Sequence, residues 1–172
     1  MVGFYDLFMG PRERYGGLAV CRRHLIPRAR GRVLELGPGT GANGRWYDPA
    51  QATSLELAGP ESHPSGKLLE RCRMRGLPVS YRSADVQELP ARGLKELRRV
   101  LRPGGEYLFI EHVRPKDAPY GRIADLATPL WRRIAGGCRL NRETEAGIRA
   151  AGFTVVHGCE HAVGIFVGGV AV

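Results

Sequence analysis

A chain of 172 residues, 43% hydrophobic and 25% charged, is long enough to fold as one domain around a single core. Its 24 glycines follow no repeat, 4 cysteines are too few for a disulfide scaffold, and no apolar run nears the ~20 residues that cross a bilayer, so collagen-like, cysteine-dense and membrane-spanning classes are set aside. The formal charge is +9, with Lys67, Lys95 and Lys116 the only lysines; the arginines fall in scattered groups (Arg28/Arg30/Arg32, Arg71/Arg73/Arg75, Arg98/Arg99/Arg102), which suits solvated helix faces better than a phosphate track.

Residues 1–20 mix Asp6, Arg12, Glu13 and Arg14 with apolar positions and lack the order of a signal peptide, which predicts a cytoplasmic protein. Leu18, Val20, Leu25 and Ile26 predict an amphipathic helix within 11–30. Arg32–Leu36 is a short apolar run that stops at glycine, the mark of a buried strand. Ser54–Ala58 predicts a second strand and Val79–Ser83 a third. Between them, Lys67–Arg75 reads as a helix ended by Gly76 and Pro78. Leu94, Leu97, Val100 and Leu101 give helical spacing over 91–101, closed by Pro103-Gly104-Gly105. Tyr107–Val113 is a strongly apolar strand, followed by a helix around 126–134. A further helix is expected with Asn141 as its cap and Glu143 and Glu145 in its first turns. Two closing strands, about 153–159 and 161–172, form a hairpin. Strands alternating with helices predict an α/β class with a doubly wound, mostly parallel sheet and an antiparallel C-terminal hairpin.

Cys21, Cys72, Cys138 and Cys159 include no Cys-x-x-Cys pair and read as buried or idle thiols. His157, Cys159 and His161 would share one face of a strand, but a turn expected at Gly158 breaks the alternation, so no metal site is predicted.

The chemistry concentrates after the first strand, in Leu34-Glu35-Leu36-Gly37-Pro38-Gly39-Thr40-Gly41. Glycines at 37, 39 and 41 let the backbone turn sharply and approach a ligand at the carboxyl end of a strand. Pro38 removes an amide that a phosphate cradle would use, and the spacing differs from both Gly-x-Gly-x-x-Gly and the P-loop. An acid at the strand end, Glu35, suits a ligand with positive charge. These residues resemble the first motif of the class I S-adenosylmethionine-dependent methyltransferases. Ser83-Ala84-Asp85-Val86-Gln87-Glu88-Leu89-Pro90, Leu97–Gly105, Glu111-His112-Val113, Pro129-Leu130-Trp131 and Gly136–Thr144 extend the resemblance, toward the small-molecule branch that contains the thiol methyltransferases and their bacterial relatives.

The resemblance implies a Rossmann-like methyltransferase fold and S-adenosylmethionine as cofactor. Glu35 would lie near its sulfonium and amino end, and Gly37, Gly39, Thr40 and Gly41 beneath its methionine and ribose. Asp85 would accept from the adenine, with the Val86 amide beside it. Residues 1–172 would form one domain, with a helical cap (1–30), a cofactor-binding half (31–90) and a truncated substrate half (91–172). His112 would be the general base or a histidine sealing its strand end; Tyr5, Trp131 and Asn141 could line an acceptor site.

Two departures qualify this. The acid that would hold the ribose hydroxyls is Glu56 in one register of the second strand, while in the other Gly59 takes its place. Between Pro90 and Ala91 the fourth strand and its connections are missing, roughly 15–18 residues. The expected outcome is six strands instead of seven, with Tyr107–Val113 moved beside Val33–Leu36, or a homodimer whose neighbour fills the gap. The function implied is methyl transfer to a small, fairly apolar metabolite, without nucleic acid or membrane span. The rival is a degenerate fold that binds a ligand or partner, or runs a non-methylating reaction.

Overall fold

The computed structural model describes residues 17–39, 41–59, 69–70, 73, 75–84, 91–135, 137–161 and 164–172. Tyr5, Thr40, Asp85 and Val86 lie outside the described residues. Internal contacts divide the chain into two compact units, one of Arg22–Glu88 and one of Leu89–Val172 with the segment up to Cys21.

In the first unit, β1 (Gly31–Leu36) pairs with β2 (Ala52–Gly59), and β2 with β3 (Val79–Ser83), all parallel. β2 is the middle strand, and Leu55, Leu57 and Ala58 in it are buried, Leu57 at 0% exposure. A near-continuous apolar run is what a strand covered on both faces requires. Helix α1 (Gly17–Leu25) and a 3-10 turn at Ile26–Arg28 precede β1 and account for the later part of the helix expected over 11–30. The chain then extends at Ala29, and the Gly31 amide donates to the Gln51 carbonyl at 2.8 Å, aligning β1 with the start of β2. Residues 69–70 and 73 are helical, as expected for the segment before Gly76; the rest of 67–74 lies outside the described residues.

In the second unit, β4 (Tyr107–His112) and β5 (Val155–His161) flank β6 (Phe166–Ala171), both antiparallel to it. Gly168 and Gly169 of β6 stand opposite Ile110 and Phe109, so the central strand leaves room for the bulky residues of β4. Helix α2 (Ala91–Val100) turns Leu94 and Leu97 toward the core, and α4 (Thr144–Ala150) contributes Ile148. Phe109, Val113, Phe153 and Val167 complete that core. Helix α3 (Ala118–Ile134) is longer than the sequence suggested, because Pro119 suits its first turn. Gly121 permits its start to pack closely, since a Cβ there would lie 2.8 Å from the Pro115 carbonyl oxygen.

Four expectations are corrected. Asn141 is not the cap of α4: Glu143 holds that position, and the Asn141 side chain instead donates to Asp125. Gly158 does not turn the chain; it pairs with Gly169 inside the ladder, and β5 continues to His161. The expected pairing of Tyr107–Val113 with Val33–Leu36 does not occur among the described residues: the strands form two three-stranded ladders, and β6 is the strand that pairs with β4. Cys21, expected to be a buried or idle thiol, is buried but disulfide-bonded. Among the described residues no helix is long and apolar enough to cross a membrane, and no cluster of three His, Cys, Asp or Glu is placed to hold a metal.

Ile148 is 0% exposed at the centre of the second unit's core. Truncation there forfeits both transfer energy and packing, so Ile148→Ala should destabilise the chain by about 2–5 kcal/mol, read from urea unfolding curves.

Candidate cofactor and acceptor sites

β1 hands directly into the glycine loop. The Gly37 amide donates to the Ala58 carbonyl at 2.8 Å, the Gly41 amide to Pro38 at 2.9 Å and the Gly44 amide to Gly41 at 3.1 Å, so the loop is a chain of tight turns tied to the end of β2. Gly39 has φ +52° and a Cβ on it would meet nothing within 4 Å. The conformation favours glycine and the space beside it is open, which are the two properties a close-approach loop needs.

Glu35, the last but one residue of β1, is only 8% exposed. The Asn43 side-chain amide donates to its Oε1 at 2.8 Å and the Tyr47 hydroxyl to its Oε2 at 3.0 Å. Arg22 of α1 in turn donates through Nε to Asn43 Oδ1 at 2.9 Å, fixing that amide's orientation. Burial pushes the Glu35 pKa up, while the two hydrogen bonds and the Arg22 charge pull it down; burial prevails. Asn43, Tyr47 and Arg22 were not singled out in the sequence. The available signal was polar residues four apart in the turn-rich stretch after the loop.

The two registers at the end of β2 now have places. Glu56 pairs with Leu34, three residues before the strand's end, and forms an ion pair with Arg82 at 2.7 Å on a largely exposed face. Leu36 pairs with Ala58, so Gly59 is the residue level with Gly37. The Ala84 amide donates to the Gly59 carbonyl at 2.7 Å, which brings the segment leading to Asp85 up to the same strand end.

In the second unit, His112 closes β4 and is 9% exposed. Its Nδ1 lies 3.2 Å from Cys138 Sγ, and its ring packs 4.0 Å from Phe166 and 5.9 Å from Trp131, centre to centre. Burial raises the Cys138 thiol pKa, the neighbouring Trp131 lowers it, and the Glu111 carboxylate raises it further. Burial likewise pushes Glu111 up, partly offset by Arg142. Sequence reasoning took Cys138 as a buried or idle thiol, because nothing in its spacing from position 112 announces the contact.

No protein-family model matches the sequence. Among curated proteins, thiol S-methyltransferase TMT1B of Homo sapiens is 33% identical over 154 residues, covering 72% of this chain and 60% of that protein. The chain belongs to the class I S-adenosylmethionine-dependent methyltransferases. It spans about 60% of the length of the TMT1B proteins it matches. Solved structures share its Rossmann-like fold. An S-adenosylmethionine-dependent methyltransferase from Mesorhizobium loti aligns with a TM-score of 0.62 at 20% identity, over 92% of this chain and 97% of that one. An O-methyltransferase family 2 protein from Planctomyces limnophilus aligns with a TM-score of 0.68 at 13% identity, over 99% of this chain and 61% of that one.

Because the folded pKa of Glu35 lies above its ordinary value of 4.5, its contribution to stability is whole below that pH and is lost as pH rises through the folded value. Glu35→Gln, which keeps the shape, should remove that slope. Thermal unfolding should show the variant gaining on the wild type as pH rises from 4.5 toward neutrality. At Cys138, a thiol held protonated is a poor nucleophile. Its alkylation by iodoacetamide at neutral pH, followed by mass spectrometry, should be slower than that of a free cysteine and accelerate above pH 9, its ordinary pKa.

Proposed function

We propose that this chain binds S-adenosylmethionine over Gly37–Gly41 and transfers its methyl group to a small, fairly apolar acceptor. A thiol is the favoured acceptor class, as the TMT1B relatives are thiol S-methyltransferases. The observation that carries the reading is the buried Glu35 carboxylate, held by Asn43 and Tyr47 at the mouth of a loop open beside Gly39. A cationic amino acid head suits that carboxylate, and a loop without side chains admits a nucleoside. The residues present therefore fit the group.

When bound, the cofactor supplies a methyl group on a sulfonium, an activated leaving group. Glu35 would hold its amino end, Gly37, Gly39, Thr40 and Gly41 would offer backbone to its methionine and ribose, and Asp85 with the Val86 amide would take the adenine. Gly59, not Glu56, would be the residue beside the ribose, since Glu56 is three residues back and engaged with Arg82. His112, whose Nδ1 lies 3.2 Å from Cys138 Sγ, would take the acceptor's proton on its ring. Methyl transfer asks for positioning more than for acid–base power, so one base suffices. We also infer a cytoplasmic location and no nucleic-acid partner, the scattered arginines supporting the latter.

A second reading, cofactor binding without turnover, is favoured by the direct run from Pro90 into Ala91, where the sequence lacks the fourth strand and its connections. One experiment covers both. S-adenosylhomocysteine at ~100 times its dissociation constant should stabilise the wild type by about 2.7 kcal/mol in a thermal-shift titration. Gly39→Val and Asp85→Ala should abolish the shift. His112→Ala should keep the shift while losing S-methylated product from a small aromatic thiol, detected by mass spectrometry. Shifts retained in both binding-site variants would place the ligand elsewhere; a shift without product in the wild type would establish the second reading.

A further inference from the structure

In open α/β sheets a nucleoside lies across the carboxyl ends of the strands, and an acid at the end of the second strand commonly holds its ribose. Here that strand ends in Gly59, which has no side chain to offer. Glu56 is an odd number of residues away and so faces the opposite side of the sheet. Leu57 and Gly59 share one face, and Tyr81 of β3 pairs with Leu57, which puts it on that face too. A Cβ placed on Gly59 would lie 3.2 Å from the Tyr81 hydroxyl and 3.3 Å from Pro38 Cδ of the glycine loop. The phenol thus reaches from the neighbouring strand to the spot a side chain at residue 59 would fill, next to the loop.

We infer that Tyr81 is a cofactor-binding residue of this chain, its phenol hydroxyl taking over the hydrogen bond to a ribose hydroxyl that residue 59 cannot make. The inference rests on the S-adenosylmethionine reading above. A phenol both donates and accepts, so it matches a sugar hydroxyl in either sense. It is neutral, and one neutral hydrogen bond contributes less than a bidentate carboxylate. The site should therefore discriminate ribose from deoxyribose only modestly.

Calorimetric titration of S-adenosylhomocysteine and of its 2′-deoxy and 3′-deoxy counterparts tests this on the wild type and on Tyr81→Phe, which keeps the ring and its packing. The wild type should bind the ribose compound about three- to tenfold more tightly than at least one deoxy compound. Tyr81→Phe should bind that pair equally, with S-adenosylhomocysteine weakened by the same factor. Discrimination that survives in Tyr81→Phe, or equal weakening of all three ligands, would overturn the assignment. So would a wild type that binds all three alike, which leaves the cofactor reading standing. A wild type that binds none of them overturns that reading and this one together.

Discussion

Burying a carboxylate at the end of a strand is the constraint around which the first unit is organised. An ionised acid taken out of water costs several kcal/mol unless its oxygens are hydrogen-bonded, so Glu35 demands partners nearby in space. Asn43 and Tyr47 supply them, one to each oxygen, from the turn-rich segment just after the glycine loop. Arg22 reaches over from α1 to hold the Asn43 amide the right way round. The loop, the segment after it and the preceding helix are thereby tied to one side chain. The shape around this carboxylate is therefore held by the protein's own groups.

The second unit obeys a different rule, close approach to a small-residue strand. Gly168 and Gly169 lie at the middle of β6, and the side chains of Phe109 and its neighbours occupy the room they leave. His112 is packed at the end of this arrangement between Phe166 and Cys138, with Trp131 beside it. The ring is thus fixed by aromatic contact and a soft thiol partner in place of the carboxylate that often orients a histidine. Burial of Glu111 and Cys138 raises both pKa values for the same reason: the charged form of each loses water without full compensation.

How much could be read in advance differs by residue. The apolar runs at 32–36, 54–58, 79–83 and 107–113 became β1 to β4 with their ends moved by no more than two residues, because burial imposes a pattern that survives translation into structure. Gly37, Gly39 and Gly41 were legible for a similar reason: φ at +68°, +52° and +81° is a demand few other residues meet. Asn141 was misassigned as a helix cap, since capping is a local preference that a nearby charged acceptor, Asp125, outbid. Gly158 was taken as a turn because glycine in a strand looks like a breaker, whereas here it faces another glycine across a ladder.

Period and punctuation along the chain were sufficient for the class of fold and for the positive-φ glycine loop after β1, for these depend on neighbours a few residues apart. What could not be read that way were the pairings between distant positions. Cys138 against His112, Tyr81 against Gly59, and β6 as the partner of β4 are all of this kind. Such contacts are set by which strands share an edge and which faces their side chains take. A shift of one residue in register would reverse every one of those faces, and no single segment contains the information that fixes it.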